Sequence, residues 1–512
     1  MRKNSKYFAI LMCCAFLFGS CGMQEDTPAD SANQTLQTPT AVPQATETPA
    51  PIKPVAPILT ITTQEKDWHM EDGSSLLMVA TDFTVDIEQK GFETLEATLD
   101  RLHPGLASAD YTNLIEQAEE HYQSLDEDGK RYFWGYSVTQ TAELTRSDSA
   151  IVSLKTFYGE YTGGAHGMYS YGGETFYVES GKLLTLADIL NDTNSFYAEA
   201  IDYVNDRLYT EYGDGLYADY RLYVEEAFTP EKTSNWYLDG GGIVILFSPY
   251  EIGPYAMGAP QVTLPYSEFG KYIAEKYMAP DGELIAYLPT NCDISPLLGQ
   301  TENIMVETTD NEWYMLDTRI IAGAVNSELG SFSSCRDSYV VKRADNRCFM
   351  VVVCDYMSDD YVTFVYEVTD GVLKKCAELP DIYPSNGYVS TEKIKMNMHL
   401  DVLGSYIATN DYIFAEDGLL IPTNDFYPIN ATYPLTIIKD LPVTLDGTDT
   451  TLGVGTQILL TGTNNVDEAH FKVVGTDQTG IIHYSINEEE SWIHYIDGVS
   501  EYEYFESLPY AG

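Results

Sequence analysis

The chain has 512 residues, enough for several domains, and its 44% hydrophobic and 12% aromatic content is that of a folded protein. Its 28 basic residues stand against 78 acidic ones, a formal net charge of -50. That balance excludes non-specific nucleic-acid binding, which needs a basic footprint on phosphates. It also disfavours docking on anionic lipid and favours cationic partners.

The first residues read as an address. Arg2, Lys3 and Lys6 are followed by the apolar run Tyr7 to Phe18, too short to span a bilayer, and then by Leu17-Phe18-Gly19-Ser20-Cys21. Small residues ahead of a cysteine resemble a bacterial lipobox. The resemblance implies removal of residues 1–20 as a signal peptide, diacylglycerol on the Cys21 thiol, and a lipid-anchored protein on the extracytoplasmic face of the cell membrane. Residues 21–57 are rich in Pro, Thr, Ala and Gln without apolar periodicity, the composition of a disordered tether. A tether of roughly 36 residues reaches up to about 100 Å.

Folding is expected from Ile58. Ile58 to Thr63 and Ser75 to Phe83 read as strands, and Phe92, Leu95, Leu99 and Leu102 share one helical face. Asp110 suits the N-cap of a second helix, with Asp126-Glu127-Asp128-Gly129 as its closing turn. Trp134 to Thr145 and Ala150 to Tyr158 read as strands joined by a turn at Arg146-Ser147-Asp148. The loop Tyr158-Gly159-Glu160-Tyr161-Thr162-Gly163-Gly164-Ala165-His166-Gly167 follows, and then the strand Glu174 to Val178. Glycines give this loop access to left-handed backbone, and His166 is a side chain whose charge switches near neutral pH. Thr185 and Ser195 suit helix caps. Asp239-Gly240-Gly241-Gly242 is a hairpin signal between Trp236 to Leu238 and Ile243 to Ser248. The strand Gln261 to Pro265 and a helix Ser267 to Tyr277 close the region.

The order strand, YTGGAHG loop, strand, GKLLTLADIL, amphipathic helix, Gly hairpin, SPYEIGPYAMG and VTLPYSEF resembles the extracellular domain of RsiV-type anti-sigma factors. It is equally similar to the accessory modules beside the catalytic domain of PdaC-type peptidoglycan deacetylases. The resemblance covers about 58–278. It implies an α+β domain with an antiparallel sheet and packed helices, and a role in binding at the cell envelope rather than in chemistry. In the RsiV family the implied partner is lysozyme. A lipobox in place of a transmembrane helix speaks against direct anti-sigma activity.

Residues 300–430 read as a β-rich domain, with Ser338 to Lys342, Cys348 to Cys354, Val362 to Val368 and Val372 to Glu378 as a meander. Residues 433–512 read as short strands, and TLGVGTQILL resembles the diverging turn of bacterial SH3-like barrels, implying a small barrel that contacts wall or peptide. Trp492, Tyr495, Tyr502, Tyr504 and Phe505 form an aromatic tail that packs on this barrel or offers a binding stripe. Cys292, Cys335, Cys348, Cys354 and Cys376 remain beyond the lipid site, an odd number whose pairing the sequence leaves open.

No two of the histidines stand at the spacing of a helical zinc motif, and no G-x-S-x-G, Walker A or G-x-G-x-x-G sequence follows a strand. No catalytic residue, metal or cofactor is therefore assigned. Tyr161, Gly163, Gly164, His166, Gly167 and Tyr169 form the candidate binding edge, with a hydrogen bond from the His166 ring to the turn backbone as the alternative role for that residue. The expected function is a non-enzymatic envelope binding or sensing module for lysozyme or another cationic wall hydrolase. The alternatives are a peptidoglycan accessory module working with a separate enzyme, or a hydrolase with an unrecognised site.

Overall fold

The computed structural model describes residues 55–73, 75–229, 234–278, 282–357, 360–369, 371–487 and 490–510. The signal segment, Cys21 and most of the tether lie outside them. Contacts with the fold begin at Ala56, which is 2% exposed. Its N–H donates to Glu283, and the Pro57 carbonyl accepts from the Ser147 hydroxyl.

Strands β1 (Leu59–His69) and β2 (Leu76–Ile87) form an antiparallel hairpin. Helix α1 (Glu93–Leu102) buries Leu95 and Leu99, and α2 (Thr112–Ser124) buries Ala118, so each presents one apolar stripe to the sheet. Asp126 does not close α2. It accepts from the Gly129 N–H and opens a further short helix, α3 (Glu127–Arg131), as an N-cap carboxylate does.

β3 (Tyr136–Asp148), β4 (Ile151–Tyr161), β5 (Met168–Tyr177) and β6 (Lys182–Leu183) continue the sheet. The first residues of β3 pair with β2 in parallel, an exception to the antiparallel expectation. The expected turn at Arg146-Ser147-Asp148 is not one: these residues end β3, and all are 0% exposed. The charges tolerate burial because each is satisfied. Arg146 donates to Asp148 at 2.7 Å, to the Tyr266 hydroxyl at 3.0 Å and to the Tyr277 carbonyl at 2.8 Å. A bulge at Thr145 shifts the β3–β4 register just before them.

α4 (Thr193–Tyr212) is capped by Asp192 rather than Ser195, with Asp192 accepting from the Ser195 N–H. α5 (Tyr220–Ala227) leads into the small sheet β7 (Trp236–Leu238), β8 (Gly242–Leu246) and β9 (Gln261–Pro265). The expected helix Ser267 to Tyr277 is broken into Tyr266–Phe269, Gly270–Tyr272 and Glu275–Met278. Its backbone is claimed elsewhere: Ile273 bridges Leu190, and the Ala274 N–H donates to Ile189. Phe196, Val204, Leu208, Trp236, Ile245 and Phe269 share the buried cluster between the helices and this sheet.

β10 (Leu284–Tyr287) pairs with the end of β3 on one side. After β11 (Ile304–Asp310), β12 (Leu316–Ala322), β13 (Val325–Phe332) and β14 (Ser334–Cys335), the strand β15 (Tyr339–Lys342) takes its other side. β16 (Cys348–Asp355), β17 (Tyr361–Thr369) and β18 (Val372–Pro380) complete the expected meander. The meander and the N-terminal sheet are one twelve-stranded sheet, ordered β18-β17-β16-β15-β10-β3-β4-β5-β6 along its main path. β16 is buried along its whole length because both faces are covered. One face packs under the helices. The other meets β19 (Ile382–Val389), β20 (Lys393–Asp401), β21 (Ser405–Phe414) and β22 (Leu420–Pro422) through Ile394, Met396, Tyr412 and Phe414.

The C-terminal region is mainly β, but its seven-stranded sheet is open, not the closed SH3-like barrel that was expected. Tyr427–Pro428 forms one edge and Thr448–Leu452 the other. Pro428 has no N–H to extend the ladder, and Thr448 to Thr451 face solvent. Its core is shared with Leu400, Val402 and Leu403 of the preceding segment. In the aromatic tail Tyr504 and Phe505 are buried in that core, while Tyr502 is 52% exposed. The five cysteines of the described chain form no disulfide, and Cys335 lies directly opposite Cys354 in the β14–β16 ladder.

Candidate functional site

Two places bring chemically able side chains together. The first is the corner between β4 and β5. Gly163 and Gly164 have φ of 93° and 97°, backbone that a side chain resists, so the chain reverses tightly here. Gly167 is needed for a different reason: an added Cβ would lie 2.7 Å from the Glu160 carbonyl oxygen. The Tyr161 hydroxyl donates to the Gly164 carbonyl at 3.2 Å, and His166 Nδ1 donates to the Gly167 carbonyl at 2.9 Å.

The exposed His166 ring also stacks on Tyr255, 4.1 Å between centroids and 19° between planes. Tyr255 meets Tyr169 edge-on at 5.8 Å and Tyr250 at 5.5 Å. Tyr169 stacks on Phe157, which meets Tyr171. The structure thus joins the expected loop residues Tyr161, Gly163, Gly164, His166, Gly167 and Tyr169 to a second loop, Tyr250 to Gly258, that the loop sequence alone did not implicate. No carboxylate hydrogen-bonds His166 among the described residues, so the His166–acid cluster a hydrolase would use is not assembled there.

The second place is a hollow of about 480 Å³ between the N-terminal sheet, the β7–β9 sheet and β15. Cross-strand partners face into it: Glu143 opposite Lys155, and Tyr287 opposite Tyr339, whose rings meet edge-on at 6.2 Å. Asp239 lies at its floor, 2% exposed. One Asp239 oxygen accepts from the Gly241 and Gly242 N–H groups, which turns the hairpin. The Tyr266 hydroxyl, itself receiving from Arg146, donates to the Asp239 carbonyl at 3.0 Å. The Gly240 N–H donates to the Tyr287 carbonyl, clamping the hairpin tip on β10.

Burial dominates the electrostatics of the hollow. Burial pushes the Asp239 carboxyl up to about 7, more than the Gly241 and Gly242 N–H groups and the cations Lys155 and Arg146 pull it down. Glu143 is raised by the surrounding protein and by Asp337, with Lys155 opposing, although its side chain reaches solvent through the hollow. Burial likewise raises Asp337 and the phenols of Tyr237, Tyr287 and Tyr339. Next to the hollow, burial pushes the Cys292 thiol up to about 12, which disfavours its thiolate. Among the described residues no group of His, Cys, Asp and Glu is placed to hold a metal ion. The only sequence sign of the hollow was Asp239, read as a turn residue.

Comparison with known proteins agrees with the resemblance in the sequence. Residues 83–169 match the family model Deacetylase PdaC, and residues 187–267 match a protein family of unknown function, DUF3298. No curated protein matches the chain. Among solved structures, a DUF3298 family member from Bacteroides fragilis is 18% identical over 44% of this chain and 96% of its own, with a TM-score of 0.32. A DUF3298 family protein from Pseudomonas aeruginosa is 18% identical over 43% of this chain and 95% of its own, with a TM-score of 0.30. No helix among the described residues is long and apolar enough to cross a membrane. The N-terminal half is therefore similar to a PdaC-like module followed by a DUF3298 module, the latter of unknown function.

Proposed function

We propose that the chain is a non-enzymatic binding module, lipid-anchored through Cys21 on the outer face of the cell membrane, that captures a cationic envelope protein such as lysozyme or another wall hydrolase. The observation that carries this reading is the ring cluster of exposed His166 and Tyr250 with half-buried Tyr255 and Tyr169, on the β4–β5 corner of a chain with a net charge of -50. Rigid tyrosines supply contact area at low entropic cost, and the acid supplies steering. The test is retention of the full chain on immobilised lysozyme at low and at moderate salt. Retention at low salt that falls as salt rises, and falls again in Tyr255→Ala, supports the reading. No retention at low salt refutes it. Metabolic palmitate labelling, lost in Cys21→Ser, tests the anchor.

A peptidoglycan accessory role is the second reading. It is favoured by an open hollow of about 360 Å³ on the C-terminal sheet, lined by Thr444, Asp449, His483 and Asp497 together with Pro442, Val443 and Ile496. Co-sedimentation of the full chain with purified sacculi but not with lysozyme would favour it.

A further inference from the structure

The hollow between the two sheets has acceptors that the fold leaves without donors. Tyr339 is 9% exposed and Asp239 2% exposed, and both line it. Among the described residues the Tyr339 hydroxyl makes no hydrogen bond, and Asp239 uses only one of its oxygens. Both groups face space that a polar occupant can enter. Glu143 and Asp337 add carboxylates at the rim, and neither forms an ion pair among the described residues.

The cations of the wall form no ion pair with these acids among the described residues, although Lys155 draws Glu143, Asp239 and Asp337 down and Arg336 draws Asp337 down. The Lys155 ammonium sits 4.7 Å from the centre of the Tyr171 ring, and Arg336 donates to the Tyr361 hydroxyl at 3.4 Å. An occupant that brings hydrogen-bond donors and positive charge would answer the oxygens they leave unpaired. The aromatic walls of Tyr287 and Tyr339 suit the same occupant, because a ring face attracts an ammonium. The volume of about 480 Å³ lies within the range of small-molecule sites.

From these observations we propose that the hollow binds a small ligand ending in a primary ammonium group, held by Asp239 and Glu143 with the Tyr339 hydroxyl as an additional partner. This goes beyond capture of a protein at the corner, and it stands or falls separately, because its probe is a small molecule.

Titration calorimetry of the full chain with cadaverine is the test, with 1,5-pentanediol as the uncharged analogue and N-acetylglucosamine as the sugar control. Cadaverine is expected to bind with a dissociation constant of about 1 mM or tighter, and the two controls about tenfold more weakly or not at all. Glu143→Gln, a substitution at an accessible side chain, should weaken cadaverine about tenfold. Tyr339→Phe, which removes only a hydroxyl, should weaken it about threefold. Thermal melts establish that both variants are folded. No binding of cadaverine by wild type at about 10 mM would overturn the proposal. So would equal binding of pentanediol, preferential binding of the sugar, or unchanged affinity in both folded variants. Loss of lysozyme retention with cadaverine binding intact would refute the proposed function and leave this inference standing.

Discussion

The β4–β5 corner and the inter-sheet hollow sit on the same strands, yet they are built on opposite principles. At the corner the polar groups are satisfied within a few residues: Tyr161 to Gly164, His166 to Gly167. Its rings are half-buried to exposed, and water can replace part of what a substitution removes. Behind the hollow, where Tyr266 links Arg146 to the Asp239 backbone, the partners come from far along the chain, with Arg146 reaching Tyr266 and Tyr277 across more than a hundred residues. There a lost partner leaves a buried charge with nothing in its place. A local motif is therefore a poor guide to where a fold concentrates its electrostatic stakes.

Substitutions at the two places should separate them. The largest effect is expected at Arg146, whose side chain and that of Asp148 are both 0% exposed. Burial alone would pull its guanidinium down, but Asp148 and Tyr266 outweigh that and hold it charged. Arg146→Ala should cost about 3–5 kcal/mol in urea unfolding, because it strands the Asp148 carboxylate. A loss below about 1 kcal/mol would show that water reaches the site and that the contrast with the corner is weaker than drawn.

Asp239 comes next, through pH. Its folded-state carboxyl titrates near 7, above the ordinary carboxylate range. Between that range and about 7 the folded chain holds a proton that the unfolded chain has released, so stability falls as pH rises and levels off above about 7. Asp239→Asn keeps an oxygen for the Gly241 and Gly242 N–H groups and removes the titration. The variant should gain on the order of 2–4 kcal/mol over wild type at pH 8 relative to pH 4, read from paired denaturant curves. Parallel curves at the two pH values would refute the assignment.

The corner glycines should show smaller losses, and unequal ones. Gly167→Ala must move the Glu160 carbonyl and should cost about 1–3 kcal/mol. Gly164→Ala meets open space and bears only the left-handed backbone, about 1 kcal/mol. Thermal melts that reverse this order would place the strain at the turn rather than at the close approach. The smallest change in stability is expected for Tyr255→Ala, which nevertheless should weaken lysozyme retention about tenfold or more if the corner is the contact. His166→Gln should weaken it less, since Tyr255 keeps its edge contact with Tyr169.

Much of the architecture was legible because it is written in short periods. Short strand-like runs marked β4 and the meander β15–β18, one-sided apolar spacing marked α1, and Asp239-Gly-Gly-Gly marked its hairpin. The failures share a cause. Arg146-Ser147-Asp148 has the composition of a turn, and only ladder partners in β4 and β10, with the Tyr266 and Tyr277 groups that satisfy Arg146, make it the end of a strand. The helix expected at 267–277 lost its backbone groups to Ile189 and Leu190. The glycine loop was legible as a tight reversal, but Tyr255, which completes its ring stack, lies on a different loop. The hollow was illegible for the same reason, since Glu143, Asp239 and Tyr339 become neighbours only through sheet registers that pair distant segments.

β10 has a consequence for how the protein can be cut. Its four residues fill the slot between β3 and β15, joining the helix-bearing half to the meander by backbone ladders. A truncated chain ending before Leu284 would bare the last three residues of β3 as an unpaired edge, beside the emptied space of Tyr287. A bare edge of that kind invites any extended peptide to pair with it, so fragments divided here should self-associate or scavenge foreign strands. Adding back a peptide with the β10 sequence would then act as a splint, restoring solubility by occupying the gap.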